Sequence, residues 1–162
     1  MDAALSLVAA WAQTLEASAV GEAMRGGRNY YPAANVAHVF GLVLLVGGVG
    51  VLDLRIAGFG RAVPIAPLSA LLTPIAVTGL VVLAASGVLL FAADAGPLVR
   101  SPVFQTKMAL AGLALVNAFV FRRAFGDFGL GREPPALARL LAVVSLCLWL
   151  AVGCLGRLIA YT

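Results

Sequence analysis

Charged side chains are scarce in this chain. They make up 11% of its 162 residues, whereas hydrophobic residues make up 62%. A soluble domain has about 25% charged and roughly 45–50% apolar residues. A core of this size cannot bury the excess, so lipid must be the solvent for much of the surface. The composition excludes an ordinary soluble domain and favours a single transmembrane domain over residues 1–162.

Metal-ligating residues are also few. The chain has one histidine, His38, and two cysteines, Cys147 and Cys154. The cysteines would lie about 10 Å apart along one helix, too far for a disulfide, and we expect two buried structural thiols. Because the chain has no second histidine, haem–copper chemistry and a bis-histidine haem within one chain are excluded. The chain also lacks the ligand clusters that zinc and copper sites need. Phosphate-binding loops, nucleophile elbows and metalloprotease motifs are absent as well.

Long apolar runs are what the sequence does contain. They lie at about 33–52, 69–92, 103–121 and 136–160, with Ser86-Gly87 inside the second run. Each is about 20 residues long or slightly more, which is enough to cross roughly 30 Å of hydrocarbon as a helix. The runs are continuous rather than alternating, so helices are favoured over strands. The prediction is an all-α bundle of four transmembrane helices.

The N-terminal residues 3–24 differ from these runs because polar side chains interrupt them. Leu5, Val8 and Leu15 fall on one helical face, and Glu16 falls on another. An amphipathic helix of this kind lies in the membrane interface rather than spanning it. We therefore predict one interfacial helix before the bundle, in contact with membrane lipids.

The net charge of +4 comes from basic residues at the ends of the apolar runs. This distribution suits anionic lipid headgroups and does not resemble a nucleic-acid surface. Two groups would lie on opposite membrane faces: Arg55, Arg61, Arg122, Arg123 and Arg132 on one, and Arg25, Arg28 and Arg100 on the other. The positive-inside rule favours the larger group as cytoplasmic, with the N-terminus outside.

His38 is the candidate functional residue, because an ionisable group inside a membrane span is costly. Four antiparallel spans bring it to the same membrane face as Lys107 and Arg157. Gly41 and Gly48 follow His38 on one helical stripe, which gives a flat surface for a planar macrocycle or for a neighbouring helix.

Two interpretations of these residues remain open. Neutral imidazole is a good iron ligand, and haem propionates need cations near the headgroups. His38 would then be the axial metal ligand of haem b, with Lys107 and Arg157 as propionate partners and Gly41 and Gly48 beneath the ring. The haem would be five-coordinate or shared with a second copy's histidine. Alternatively, His38 hydrogen-bonds a carbonyl, the cations reach lipid phosphates, and the glycines pack helices.

Several short runs resemble a family of small bacterial integral membrane proteins of unknown function. They are Tyr31-Pro-Ala-Ala-Asn-Val-Ala-His38, Gly41 to Gly48, Asp53-Leu-Arg55, Ser86 to Phe91, Phe104-Gln-Thr-Lys107 and Gly156 to Tyr161. More remotely, the chain is similar to HemJ-type protoporphyrinogen oxidases and CopD-type membrane proteins. The HemJ-type resemblance implies a haem ligand at His38 and an essential lysine at Lys107, although the tryptophan and histidine-rich signatures of that family are missing.

The expected function is therefore electron transfer or haem-dependent oxidation in a bacterial inner membrane. One alternative is a non-enzymatic structural or accessory subunit, which could form a homo-oligomer through the glycine stripe or join a larger membrane complex. Another alternative is a carrier of a small anion or a quinone that uses the same cationic pocket.

Overall fold

The computed structural model describes residues 2–126 and 133–161. This part of the chain is helical, and it contains four helices long and apolar enough to cross a membrane. The prediction of an all-α, four-span bundle is confirmed. Residues 127–132, which include Arg132, lie outside the described residues. The elements are α1 Asp2–Glu16, α2 Ala19–Gly26, α3 Tyr30–Ala57, α4 Ile65–Ala93, α5 Ala95–Arg100, α6 Pro102–Phe125, α7 Ala136–Leu158 and a 3₁₀ turn Ile159–Tyr161.

The spanning helices extend beyond the apolar runs of the sequence. The first run stops before Asp53, but α3 continues to Ala57 and ends at Gly58, where φ is +119°. Glycine adopts this left-handed conformation without strain, and its N–H bonds back to the carbonyls of the last turn. Asp53 lies inside the helix because its side chain is buried in the bundle. A polar residue therefore ended the apolar run without ending the helix.

The predicted single interfacial helix is two helices, α1 and α2. Ser18 separates them, and its hydroxyl accepts a hydrogen bond from the Gly21 N–H at the start of α2. A Cβ atom at Gly21 would lie 2.7 Å from the Ala92 carbonyl oxygen, so the missing side chain lets α2 approach the end of α4. Arg25 fixes this arrangement by donating to the Ala93 carbonyl (2.9 Å).

In the bundle, α3 packs against both α4 and α7, and α6 packs along α7. Leu45, Ala76, Ala114 and Trp149 form a core cluster from all four spans. The expectation that the cysteine thiols are buried is wrong, because Cys147 and Cys154 are both exposed and free. The buried stripe of α7 runs through Ser145, Trp149 and Val152, and each cysteine is two positions away from a residue of that stripe.

Candidate functional site

His38 lies in the third turn of α3 and faces α4. Its Nδ1 atom is 3.0 Å from the hydroxyl oxygen of Ser86, which is only 4% exposed. The Ser86 hydroxyl donates its single proton to the Val82 carbonyl, 2.6 Å away. In the tautomer that carries its proton on Nδ1, the Ser86 oxygen accepts from Nδ1–H and the neutral imidazole keeps a lone pair on Nε2. The Leu83 carbonyl of α4 also lies within hydrogen-bonding reach of the ring.

Gly87 makes room for the histidine ring. A Cβ atom at this position would lie 3.3 Å from His38 Cε1, closer than an ordinary van der Waals contact. The Ser86-Gly87 pair thus has two roles toward the His38 ring. Ser86 accepts the Nδ1 proton, and Gly87 leaves space for the ring against α4. In the sequence this pair was recognisable only as a polar and a small residue inside an apolar run.

Lys107 on α6 is half-buried at the same end of the bundle, and its charge lies near enough to act on the imidazole. Its Nζ atom rests against α7, 3.4 Å from the position that a Cβ atom on Gly156 would occupy. Lys107 thus packs beside Gly156 at a distance where an added Cβ atom would make an ordinary van der Waals contact. The four spans contribute His38, Ser86, Lys107 and Gly156 to one region, which we call the histidine site.

Arg157 shares this end of the bundle but is directed elsewhere. Its guanidinium donates to the Tyr161 hydroxyl and lies over the Tyr161 ring, 4.8 Å from the centroid. The side chain is exposed, as expected for a cation at headgroup level. The structure therefore brings His38 and Lys107 together, while Arg157 is held by a tyrosine one turn further along the chain.

The glycine stripe of α3 is covered by α4. A Cβ atom at Gly41 would lie 2.8 Å from the Leu83 backbone nitrogen, and one at Gly48 would lie 3.1 Å from the Leu72 carbonyl oxygen. These distances correspond to close helix packing through small residues, the alternative that the sequence left open. Both glycines are buried, so the surface of α3 beneath His38 is a helix contact.

Three stacked aromatic rings lie on the headgroup side of the histidine site. Phe91 of α4 stacks on Phe104 of α6 at 5.5 Å between centroids, and Trp11 of α1 stacks on Phe91 at 6.1 Å. Phe91 is one turn beyond Gly87, and Phe104 is one turn before Lys107. These rings were missed as site residues. The sequence signal of Phe91 and Phe104 was membership in the same short runs that carry Ser86 and Lys107, whereas Trp11 lies outside those runs.

A separate open cleft of about 540 Å³ lies at the membrane surface near this end. It is lined by Gln13, Glu16, Ala17, Arg25, Gly96, Pro97 and Arg100. Glu16 already accepts from the Gly96 N–H at 2.8 Å, so part of this cleft is used to join α1 to α5. The cleft does not include His38 or Lys107.

Together these features define a membrane protein with four spanning helices and a histidine–serine pair between two of them. The chain belongs to a family of unknown function, DUF6644, whose model matches residues 8–162. No curated protein and no solved structure matches the chain.

Proposed function

We propose that this protein binds haem b, with His38 Nε2 as the axial ligand, and uses it for electron transfer or haem-dependent oxidation. The hydrogen bond between His38 and Ser86 is the observation that carries the proposal. Metal-ligating histidines almost always donate their other ring N–H to a fixed acceptor, which sets the tautomer. Ser86 supplies such an acceptor, because its own proton is already donated to the Val82 carbonyl.

The surroundings of His38 suit a planar, largely apolar group with anionic edges. Phe91 and Phe104 supply aromatic surface, and Lys107 supplies a cation for a propionate. Arg157 is a candidate for the second propionate, for which it would have to leave Tyr161. Since α4 covers Gly41 and Gly48, we expect the macrocycle on the α6 side of His38.

The direct test is an absorption spectrum of the full chain, purified after expression with ample haem. We expect a Soret band that is absent in His38→Ala. Ser86→Ala should bind haem about 10–100-fold more weakly, since loss of the outer hydrogen bond typically has that effect. Ser69→Ala is the matched control, because the Ser69 hydroxyl bonds Thr73 at the other end of the same helix.

A colourless wild-type protein would contradict the haem proposal. Co-purification with a larger complex, unchanged in His38→Ala, would then favour the accessory-subunit alternative.

In either case we propose a bacterial inner membrane as the location, with the N-terminus on the outer side. A haem shared between two copies through two His38 ligands would appear as a dimer that dissociates in His38→Ala.

A quinone is the second candidate ligand, favoured by the aromatic stack above the polar groups. Phe91 and Phe104 would contact the quinone ring, while Lys107 Nζ would donate to a quinone oxygen. A quinone that binds only the folded protein should raise its thermal stability. We expect that shift to disappear in Lys107→Met and to remain in Arg100→Gln, whose side chain lines the separate surface cleft.

A further inference from the structure

Asp53 is a buried carboxylic acid at the end of the bundle opposite His38. It lies in α3, which packs against α4 and α7, and it is 8% exposed. Its Oδ2 atom is buried and has no hydrogen-bond partner in the described part of the chain. Ser145 of α7, also buried, is the hydrogen-bonding side chain beside the carboxyl group. An oxygen with this burial and no partner is unusual in a folded protein.

The surroundings of Asp53 are apolar. Ile56 is one turn further along α3, and it clusters with Ala138 and Ala142 of α7. Ala142 is in turn one turn before Ser145. Little in this environment replaces the water that an ionised carboxylate would lose on burial.

The nearby cations are engaged elsewhere or exposed. Arg139 of α7 pairs with Glu133 at 2.8 Å, and Arg55 of α3 donates to the carbonyls of the following loop. The helix α4 has no charged residue. Among the described residues, the remaining basic ones at this end are Arg61, Arg122 and Arg123, all exposed.

Asp53 has no ion pair within 4.0 Å among the described residues, where the pairs are Arg25–Glu16 and Arg139–Glu133. Arg122 and Arg123, at the same end of the bundle, therefore form no ion pair with Asp53. The Nε atom of Arg139 is buried without a partner. Arg139 belongs to α7, which packs against α3.

We propose that Asp53 is a proton-binding site: its carboxyl group carries a proton in the folded bundle and exchanges it with the membrane face where α3 ends. The protonated acid is neutral, and it offers one O–H donor and a carbonyl acceptor to Ser145. Gly58 ends the helix five residues later, which is about 7 Å along the axis, so the route to water is short. Ionisable groups inside spanning helices mark such proton-exchange positions. The site is independent of the proposed haem.

Infrared spectroscopy of the full chain in lipid bilayers tests this proposal. We expect the carbonyl stretch of a protonated carboxylic acid at mildly acidic pH, lost reversibly as the pH rises. The band should be absent in Asp53→Asn and present in the matched control Glu133→Gln, which removes an exposed carboxylate. Ser145→Ala should shift the frequency of the band without abolishing it, because it removes the neighbouring hydroxyl.

Three outcomes would overturn the proposal. One is the absence of the band at every pH where the wild type is folded. Another is a band that appears only in Arg139→Gln, which would show an ionised carboxylate held by Arg139. The third is a band abolished by sodium at constant pH, which would identify a cation as the occupant. If Asp53→Asn fails to fold, ¹³C-aspartate labelling of the wild type assigns the band by its isotope shift.

Discussion

Replacing Gly41 by alanine tests whether the glycine stripe of α3 is a helix contact or an open surface. The added Cβ atom would lie 2.8 Å from the Leu83 backbone nitrogen and 2.9 Å from the Gly79 carbonyl oxygen. Both atoms belong to the backbone of α4 and cannot move aside as the end of a flexible side chain could. The two helices must therefore separate locally, and the contacts between them weaken.

Gly47 on the same helix is the matched control, because a Cβ atom there would meet nothing within 4 Å. Overfilling a packed contact typically costs about 1–3 kcal/mol. Alanine also gains about 1 kcal/mol over glycine in helix propensity, but this gain is common to both variants and cancels in their difference. Gly41→Ala should therefore be about 1–3 kcal/mol less stable than Gly47→Ala. Gly48→Ala should fall between them, since its nearest atoms would be 3.1 Å away.

The free energy of unfolding can be measured by reversible denaturation in mixed micelles, followed through the fluorescence of the buried Trp149. The expected difference corresponds to a factor of about 5–150 in the folding equilibrium, well within reach of the assay. Equal stability of Gly41→Ala and Gly47→Ala would refute the close contact between α3 and α4. It would also restore Gly41 as a surface on which a cofactor could lie.

Two further predictions concern how the other elements are held. Arg25→Gln should speed amide hydrogen exchange in α2 but not in α3, because it removes the bond to the Ala93 carbonyl. Arg28→Gln, an exposed neighbour, should leave exchange unchanged, and equal effects would contradict the anchoring role. Asn117→Ala should destabilise the bundle by about 0.6–2 kcal/mol in the same denaturation assay, because Asn117 donates to the Leu141 carbonyl across α6 and α7. No loss of stability would show that this bond is not formed in lipid.

The four spans were predictable because an apolar segment of this length has few alternatives to a helix in lipid. The ends of these helices were not predictable, since the sequence does not show whether a polar side chain points into the bundle. Asp53 is the example: it interrupts the apolar run, yet α3 continues past it because the carboxyl group is buried. The break at Ser18 was missed for a related reason, as a serine within an amphipathic pattern can cap a new helix.

For the histidine site, topology alone brought His38 and Lys107 to the same end of the bundle. Their immediate surroundings depend on the rotation of each helix about its axis, which the apolar runs do not specify. Ser86 and Gly87 could therefore not be assigned to the imidazole from the sequence. The orientation of the Arg157 side chain was harder still to predict, because Tyr161, four residues later on the same helical side, binds its guanidinium.

The position of α3 between two neighbours explains how it can carry two buried polar groups. His38 and Asp53 are fifteen residues apart, about 22 Å along the helix and about 60° around it. One faces α4 and the other lies beside α7, and each meets a serine on the neighbouring helix. A span with lipid on those sides would offer neither group a partner. The two groups differ in what they leave available: with its proton on Nδ1 the imidazole keeps a lone pair on Nε2, whereas one oxygen of the carboxyl group has no partner among the described residues. The same helix therefore carries the residue of the proposed ligand site toward one membrane face and that of the proposed proton site toward the other.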